Sequence, residues 1–327
     1  MRQYGALLLN FLLLRLSYCM RRLNNIISKA TFFIALCLVT EYAQTQHFLP
    51  PSDVYRPDRL KRVIITEVAI STAVSIGLYY LWYKKFPRSS FHLFNDNREW
   101  LQMDKIGHAA TAYNIGVLQY DMMRWCGVKK NEAIIIGSAT ALGGLTIIEI
   151  LDGFSTHWGF SKGDMLANLV GTAIFASQQR WWDEQRATMK FSAHFSPYAQ
   201  YHSGELGKSW ASRILKDYNG QSYWLSFNIK SFLPSSSSFP NWPSIAFGYG
   251  ADGMIGGHSN PDSIKGKPVP HFERTRRFML SPDADLFRIR SIAPVDAATY
   301  LLKPFKFPAP ALEINSKGKL KFYGLYH

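Results

Sequence analysis

Three short stretches carry residue types that could do chemistry together. Asp104-Lys105-Ile106-Gly107-His108 sets a carboxylate and an imidazole four residues apart. On a helix that spacing puts both on one face. Glu149 and Asp152 are three apart, again on one side of a helix. Ser161, Asp164, Asn168 and Gly171 follow. There Ser161 can cap a helix, Asp164 and Asn168 share a face, and Gly171 allows close packing one turn on. An imidazole ionises near neutral pH, so His108 could carry a proton while Asp104, Glu149 and Asp164 orient it. The same four side chains could ligate a hard or borderline divalent ion. They could equally be helix caps and a buried hydrogen-bond network that fixes helix packing. All three readings stay open on the sequence. No paired-His zinc motif, Walker loop, nucleophile elbow or Cys-His pair is present. Gly248-Tyr-Gly250-Ala-Asp-Gly253 has the spacing of a dinucleotide loop. The Met-Ile-Gly-Gly-His-Ser-Asn-Pro that follows cannot open the required helix, so these glycines are expected in tight turns.

Four apolar segments must position these groups: Val63 to Tyr83, Ile106 to Trp125, Ala133 to Leu151 and Met165 to Trp182. The first is long enough to cross a hydrocarbon core and has basic flanks and a cluster of terminal Tyr and Trp. The third is nearly all apolar and rich in Gly, Ala and Ser, which let helices approach closely. A soluble four-helix bundle is the alternative. Ionisable groups facing lipid cost about 2.5–3.5 kcal/mol each on insertion scales. The cheapest arrangement turns the polar pairs of the three later helices inward, toward one another. Their convergence is therefore expected. An active or binding site would also need a cavity at the cluster, whereas a tightly packed cluster would leave only the structural reading.

The 327 residues include 37 basic and 23 acidic side chains, a net charge of +14. Both halves share the excess, with no Lys/Arg block of the kind that binds nucleic acid. The expected partners are membrane lipid and anionic envelope polymers or proteins. Residues 1–45 read as a targeting segment. Arg21, Arg22 and Lys29 precede the apolar run Ala30 to Thr40, with Met20 as the expected start. Leu16-Ser17-Tyr18-Cys19 resembles a lipoprotein box, but Tyr18 is too large for its position. Loss of the leader would remove Cys19 and Cys37 and leave Cys126 alone, so no internal disulfide is expected. Residues 46–62 form a Pro-containing linker, 63–190 the helical bundle, and 191–327 a β-rich tail. In the tail, Tyr223 to Leu233 alternates with a period of two. Tyr223, Leu225, Phe227, Ile229 and Leu233 fall on one face, with Ser226, Asn228 and Lys230 on the other. Phe287–Arg290 and Leu320–Tyr326 alternate more briefly. Strand candidates are too few to close an outer-membrane barrel.

The ordered set D-K-x-x-H, E-x-x-D and S-x-x-D-x-x-x-N-x-x-G, over about residues 100–180, resembles the YfiM-type family of predicted periplasmic lipoproteins. It is more distantly similar to the VanZ-like membrane proteins, in which a Gln commonly follows the Glu where Asp152 stands here. The resemblance implies an envelope location and carries no assigned activity. The expected fold is a mainly α, membrane-associated N-terminal bundle followed by a smaller β-rich C-terminal region. The expected protein is a bacterial cell-envelope component with a binding or structural role and a periplasmic tail. The alternative is an integral membrane enzyme acting on lipid-linked envelope precursors. There His108, Asp104, Glu149 and Asp164 would be catalytic, Asp152, Asn168, Ser161 and Gly171 would bind, and a divalent metal is one option.

Overall fold

The computed structural model describes residues 48–81, 83–289 and 293–326. The targeting segment and its cysteines lie outside the described residues. Helix α1 (Pro57–Leu81) begins with a proline, which suits the first helical position, and has Asp58 in its first turn. It starts six residues before the apolar run because its first turns are polar. The short strand β1 (Leu93–Phe94) leads to α2 (Met103–Trp125), followed by α3 (Lys130–Gly153). The short β2 (Phe160–Ser161), parallel to β1, runs into α4 (Lys162–Trp182). Ser161 caps α4, its Oγ accepting from the Asp164 backbone N–H at 3.1 Å. Asp183 in the left-handed region ends it.

Helices α2, α3 and α4 form the bundle, with a core of Tyr113, Val117, Tyr120, Ile134 and Phe175. Glycine makes this closeness possible. A Cβ at Gly171 would lie 2.0 Å from the Ala109 carbonyl oxygen, and one at Gly116 would lie 2.6 Å from the Phe175 ring. Among the described residues, two helices are long and apolar enough to cross a membrane, Pro57–Tyr80 and Lys130–Gly153, where four spans were expected. The difference lies in α2 and α4, which carry Asp104, His108, Asn114, Asp164, Asn168, Gln178 and Gln179. That polar content is used inside the protein. Gln178 Nε2 donates to the Ala187 carbonyl at 2.9 Å, and Asn114 Nδ2 to that of Met189 at 3.1 Å.

The chain enters α2 through an uncommon turn. Trp100, Leu101 and Gln102 all have positive φ, at 47°, 50° and 64°. Each L-residue held there costs about 1–2 kcal/mol. The C-terminal half holds this turn in place. The Gly257 carbonyl accepts from the Trp100 N–H at 2.9 Å, Tyr249 OH donates to the Leu101 carbonyl, and Arg276 donates to Gln102 Oε1 at 2.6 Å.

That half contains β3 (Ala187–Ala193), the short helices α5 (Ser203–Leu206) and α6 (Trp210–Lys216), β4 (Gln221–Asn228) and β5 (Pro243–Asp252). A two-stranded ribbon follows, β6 (Ser263–Ile264) with β7 (Lys267–Pro268). Then come β8 (Thr275–Ala284), α7 (Ala293–Leu302), β9 (Ala309–Asn315) and β10 (Leu320–Tyr326). Six strands make one antiparallel sheet in the order β10-β9-β8-β5-β4-β3. Phe287 to Ile289, the described part of the Phe287–Arg290 alternation, supplies no strand; Leu286–Arg288 is a single 3-10 turn. Gly248 and Gly250 lie inside β5 rather than in a turn. A Cβ at Gly248 would meet the Trp224 ring at 2.6 Å, and only Gly253 of this motif has positive φ.

On β4 the face with the polar residues is the inner one. Trp224, Ser226 and Asn228 are buried, whereas Leu225 and Phe227 face outward. The sheet curls, and its concave side is filled. Ser222 Oγ and Tyr326 OH meet at 2.7 Å, and the Trp224 and Tyr326 rings are 5.6 Å apart, although β4 and β10 are separated by three strands. Residues Pro304 to Lys306 close the curl against β3, through Phe191 N–H to the Pro304 carbonyl and Lys306 N–H to the Phe191 carbonyl, both 2.8 Å. The core of this unit is mixed, with an apolar cluster of Trp224, Ala246, Met279, Ala311 and Tyr326 beside a charged one. Lys190 and Asp283 pair at 2.7 Å with side chains 4% and 0% exposed, Lys306 adds to Asp283 at 3.6 Å, and Ser226 donates to Asp283 at 2.6 Å.

Candidate functional site

The predicted polar residues converge. His108 on α2 turns its ring between α3 and α4. Its Nδ1 lies within hydrogen-bond distance of the Asn168 side-chain amide, 3.1 Å from Oδ1. Nε2 then faces three carboxylates, Asp104 at 3.9 Å, Glu149 at 3.7 Å and Asp164 at 3.9 Å. Glu149 is fixed by the Ser161 backbone N–H, which donates to its Oε2 at 3.0 Å. Ser161 also donates through Oγ to Asp96 Oδ1 at 2.6 Å. Gly171 seats α4 against α2 one turn beyond Asn168 and so sets the His108–Asn168 distance. Asp152 lines the same cavity, but its carboxylate accepts from Tyr83 OH at 2.7 Å instead of joining the cluster. His157 stacks on Phe86 at 4.1 Å and pairs with Glu205, away from His108.

Sequence reasoning missed the cation at the centre. Lys105 Nζ lies 2.7 Å from Asp96, 2.7 Å from Asp164 and 3.2 Å from Asp104, with its side chain 13% exposed. Its position between Asp104 and His108 was visible, but adjacency along a helix does not show which way a side chain turns. Two further groups come from the C-terminal half. Tyr218 OH donates to Asp104 Oδ1 at 2.7 Å. Tyr223 OH presses so closely on Gly107 that a Cβ there would sit 2.8 Å from it. No local signal could mark a bond between residues 114 positions apart.

The electrostatics follow from this crowding. Burial raises Asp164, and the neighbouring Asp104 charge adds to it, so its carboxyl is pushed up to about 8 despite Lys105. Burial works against Asp104 as well, but His108, Lys105 and Tyr218 outweigh it and hold Asp104 below its ordinary value. For Lys105 and His108 burial opposes the charge, yet the surrounding carboxylates raise both. At neutral pH the site therefore holds a protonated Asp164, an ionised Asp104 and a cationic Lys105 within a few ångströms.

A cavity of about 750 Å³ opens at this cluster. Its polar end carries Asp96, Asp104, His108 and Asp164, and its walls include Ile115, Leu118, Leu145, Leu215 and Leu301. Residues 92–178 match a family model described as predicted periplasmic lipoprotein (DUF2279). The match spans about a quarter of the chain and contains every cluster residue on β1 to α4. No curated protein and no solved structure matches the chain. The matched family supports a cell-envelope protein.

One ligand atom each from Asp104, His108 and Asp164 lie within 4.8 Å of one another, close enough to share a metal ion. Glu149 reaches His108 but is not part of that set. Lys105 already sits against both aspartates, so the protein's own ammonium occupies the position from which a metal's charge would act on them.

Proposed function

We propose that this cell-envelope protein binds an amphiphile, with the head group at the His108 cluster and the acyl or prenyl part along the apolar walls. One observation carries the reading: the converged polar cluster is not sealed by packing but forms one end of a mostly apolar cavity. A cavity of that size suits a small-molecule ligand. The charge at the polar end selects among head groups. Asp96, Asp104, Glu149 and Asp164 surround one lysine and one histidine, so a bare phosphate would meet carboxylates. Hydroxyl or amine groups, as on a glycan or an aminated head, would instead find acceptors on every side.

The same geometry favours a catalytic variant of this reading, acting on lipid-linked envelope precursors. Asn168 fixes one face of the His108 ring and leaves Nε2 toward the cavity, and Asp164 holds a proton at neutral pH beside it. His108, whose protonated form the carboxylates favour, and Asp164 can each give a proton, and the ionised Asp104 can take one, so the pocket can move a proton to or from a head-group hydroxyl. The two long apolar helices and the basic flanks of α1 support membrane association of the bundle.

The test is extraction of the purified protein from membranes, with mass spectrometry of what accompanies it. Thermal shifts with alkyl glycosides, alkylamines and alkyl phosphates of equal chain length complete it. A co-purifying amphiphile, and stabilisation by the glycoside or amine exceeding that by the phosphate, is expected. His108→Ala should abolish the head-group preference at normal abundance. No accompanying amphiphile and no shift with any head group would overturn the proposal.

A further inference from the structure

The six-stranded sheet is built inside out for a protein in water. Its concave side holds the Lys190–Asp283–Lys306 group and the Arg277–Glu313 pair at 3.9 Å, all nearly out of solvent. Its convex side is apolar. By strand register, Phe247, Leu280, Leu312 and Phe322 lie side by side across β5, β8, β9 and β10, and Tyr249, Phe278, Ile314 and Leu320 form the next row. Excluding Tyr249, these side chains are 41% to 69% exposed. At the β3–β4 edge the bundle covers this side, with Met189 packed against the helix core and Tyr223 against Gly107. At one end of β5 and β8 the turn into α2 also reaches this side, through Tyr249, Ala251 and Arg276; beyond it the two rows stay exposed on β5, β8, β9 and β10.

We propose that this convex face is in contact with the acyl chains of the lipid bilayer, so that the β unit is a membrane-embedded element and not an aqueous tail. Polar-in, apolar-out alternation is the pattern of strands that face hydrocarbon. The buried ion pairs fix the choice of face, since turning the sheet over would expose the apolar rows to a core already filled by charges. β5 and β8 have ten residues each, the length of a tilted strand crossing a bilayer. The band ends at the β9–β10 turn in exposed Lys317 and Lys319, where anionic head groups would lie. The apolar exposure is also too widely distributed for one protein partner. On α1, Ile64, Ile65, Val68, Ile70, Val74 and Ile76 project around the whole helix and are 50% exposed or more. A second copy would cover one face, whereas hydrocarbon covers all of them.

The experiment uses the full chain in vesicles of phosphatidylethanolamine and phosphatidylglycerol that contain a phospholipid with a photoactivatable diazirine on its acyl chain. After irradiation and digestion, adducts are expected on β5, β8 and β9 as well as on α1. Adducts on α1 with none on the sheet would overturn the proposal. A second measurement places spin labels at Phe247→Cys, Leu280→Cys and Ser316→Cys, with Cys19, Cys37 and Cys126 replaced by Ala. Labels at 247 and 280 should collide with oxygen and be shielded from a water-soluble nickel chelate, with the reverse at 316. Chelate access at 247 and 280 equal to that at 316, or no access by either reagent, would place water or protein against this face and refute the assignment.

Discussion

Replacing Lys105 by methionine tests the electrostatic account of the site most directly. The substitution keeps the length and much of the packing of the side chain but removes the ammonium that touches Asp96, Asp104 and Asp164. A surface lysine in an ion pair would be worth at most about 1 kcal/mol. Here the side chain is 13% exposed, and removing one partner of a buried pair typically costs about 3–5 kcal/mol because the carboxylates left behind are uncompensated. For a chain of this size that corresponds to a fall in Tm on the order of 5–10 °C. The loss should depend on pH in a definite direction. Asp164, already pushed up to about 8, moves higher when the cation is gone. The folded state then keeps a proton that the unfolded state releases above about 3.9. Stability falls as pH rises above about 4 in wild type and variant alike, but the variant keeps falling above pH 8, where the wild-type Asp164 ionises, so the cost of the substitution grows on the alkaline side. Thermal melts of wild-type and Lys105→Met protein at pH 5 and pH 9 read this directly. Adding Asp164→Asn should recover much of the loss at pH 9. A cost below about 1 kcal/mol that is equal at both pH values would show that these carboxylates are effectively solvated, and the account of the cluster would fail.

Two more predictions rest on the same cluster. In the wild type, the raised Asp164 and the raised His108 both make stability decline as pH rises through their folded values, whereas the lowered Asp104 makes it decline as pH falls below the ordinary carboxylate range. Melts across pH 3 to 9 should therefore peak on the mildly acid side, and Asp164→Asn should flatten the alkaline limb; an unchanged limb would remove Asp164 as its source. Gly171→Ala should destabilise by about 2 kcal/mol or more and break the His108–Asn168 bond, because the new Cβ meets the Ala109 backbone at 2.0 Å and forces α2 from α4. Gly77→Ala, with nothing within 4 Å, is its control and should be neutral or stabilising by about 0.5–1 kcal/mol, read by melts and by the imidazole NMR signals.

The helices and the convergence of their polar groups were legible because each sits in a long apolar segment where a carboxylate has few affordable positions. Ser161 as a cap and Gly171 as a contact followed from local geometry alone. Three features were not legible. Lys105 and Asp96 were given no role, since a single position carries no sign of which way a long side chain turns. Tyr218 reaches Asp104 from the other half of the chain, beyond any spacing rule. The sheet posed a different problem. A period of two divides Tyr223–Leu233 into two faces but does not say which one is inside. The informative residues were Lys190, Asp283 and Lys306, whose mutual pairing permits a polar interior but is scattered over 117 positions. Gly248 misled for a related reason, since its lack of a side chain makes room for Trp224 and not for a turn.

The left-handed run Trp100–Gln102 ties the order of assembly to the site. Ribosomal synthesis delivers the bundle first, when Gly257, Tyr249 and Arg276 do not yet exist to restrain that bend. Without them the relaxed conformation is favoured by about 3–6 kcal/mol over the three residues, and the first turn of α2, with Asp104, has no reason to settle. The pocket is therefore completed only after the last strands arrive. Mutations in β5 or β8 at Tyr249 or Arg276, outside the cluster's carboxylates, should delay or blur its formation without touching a single group that lines it.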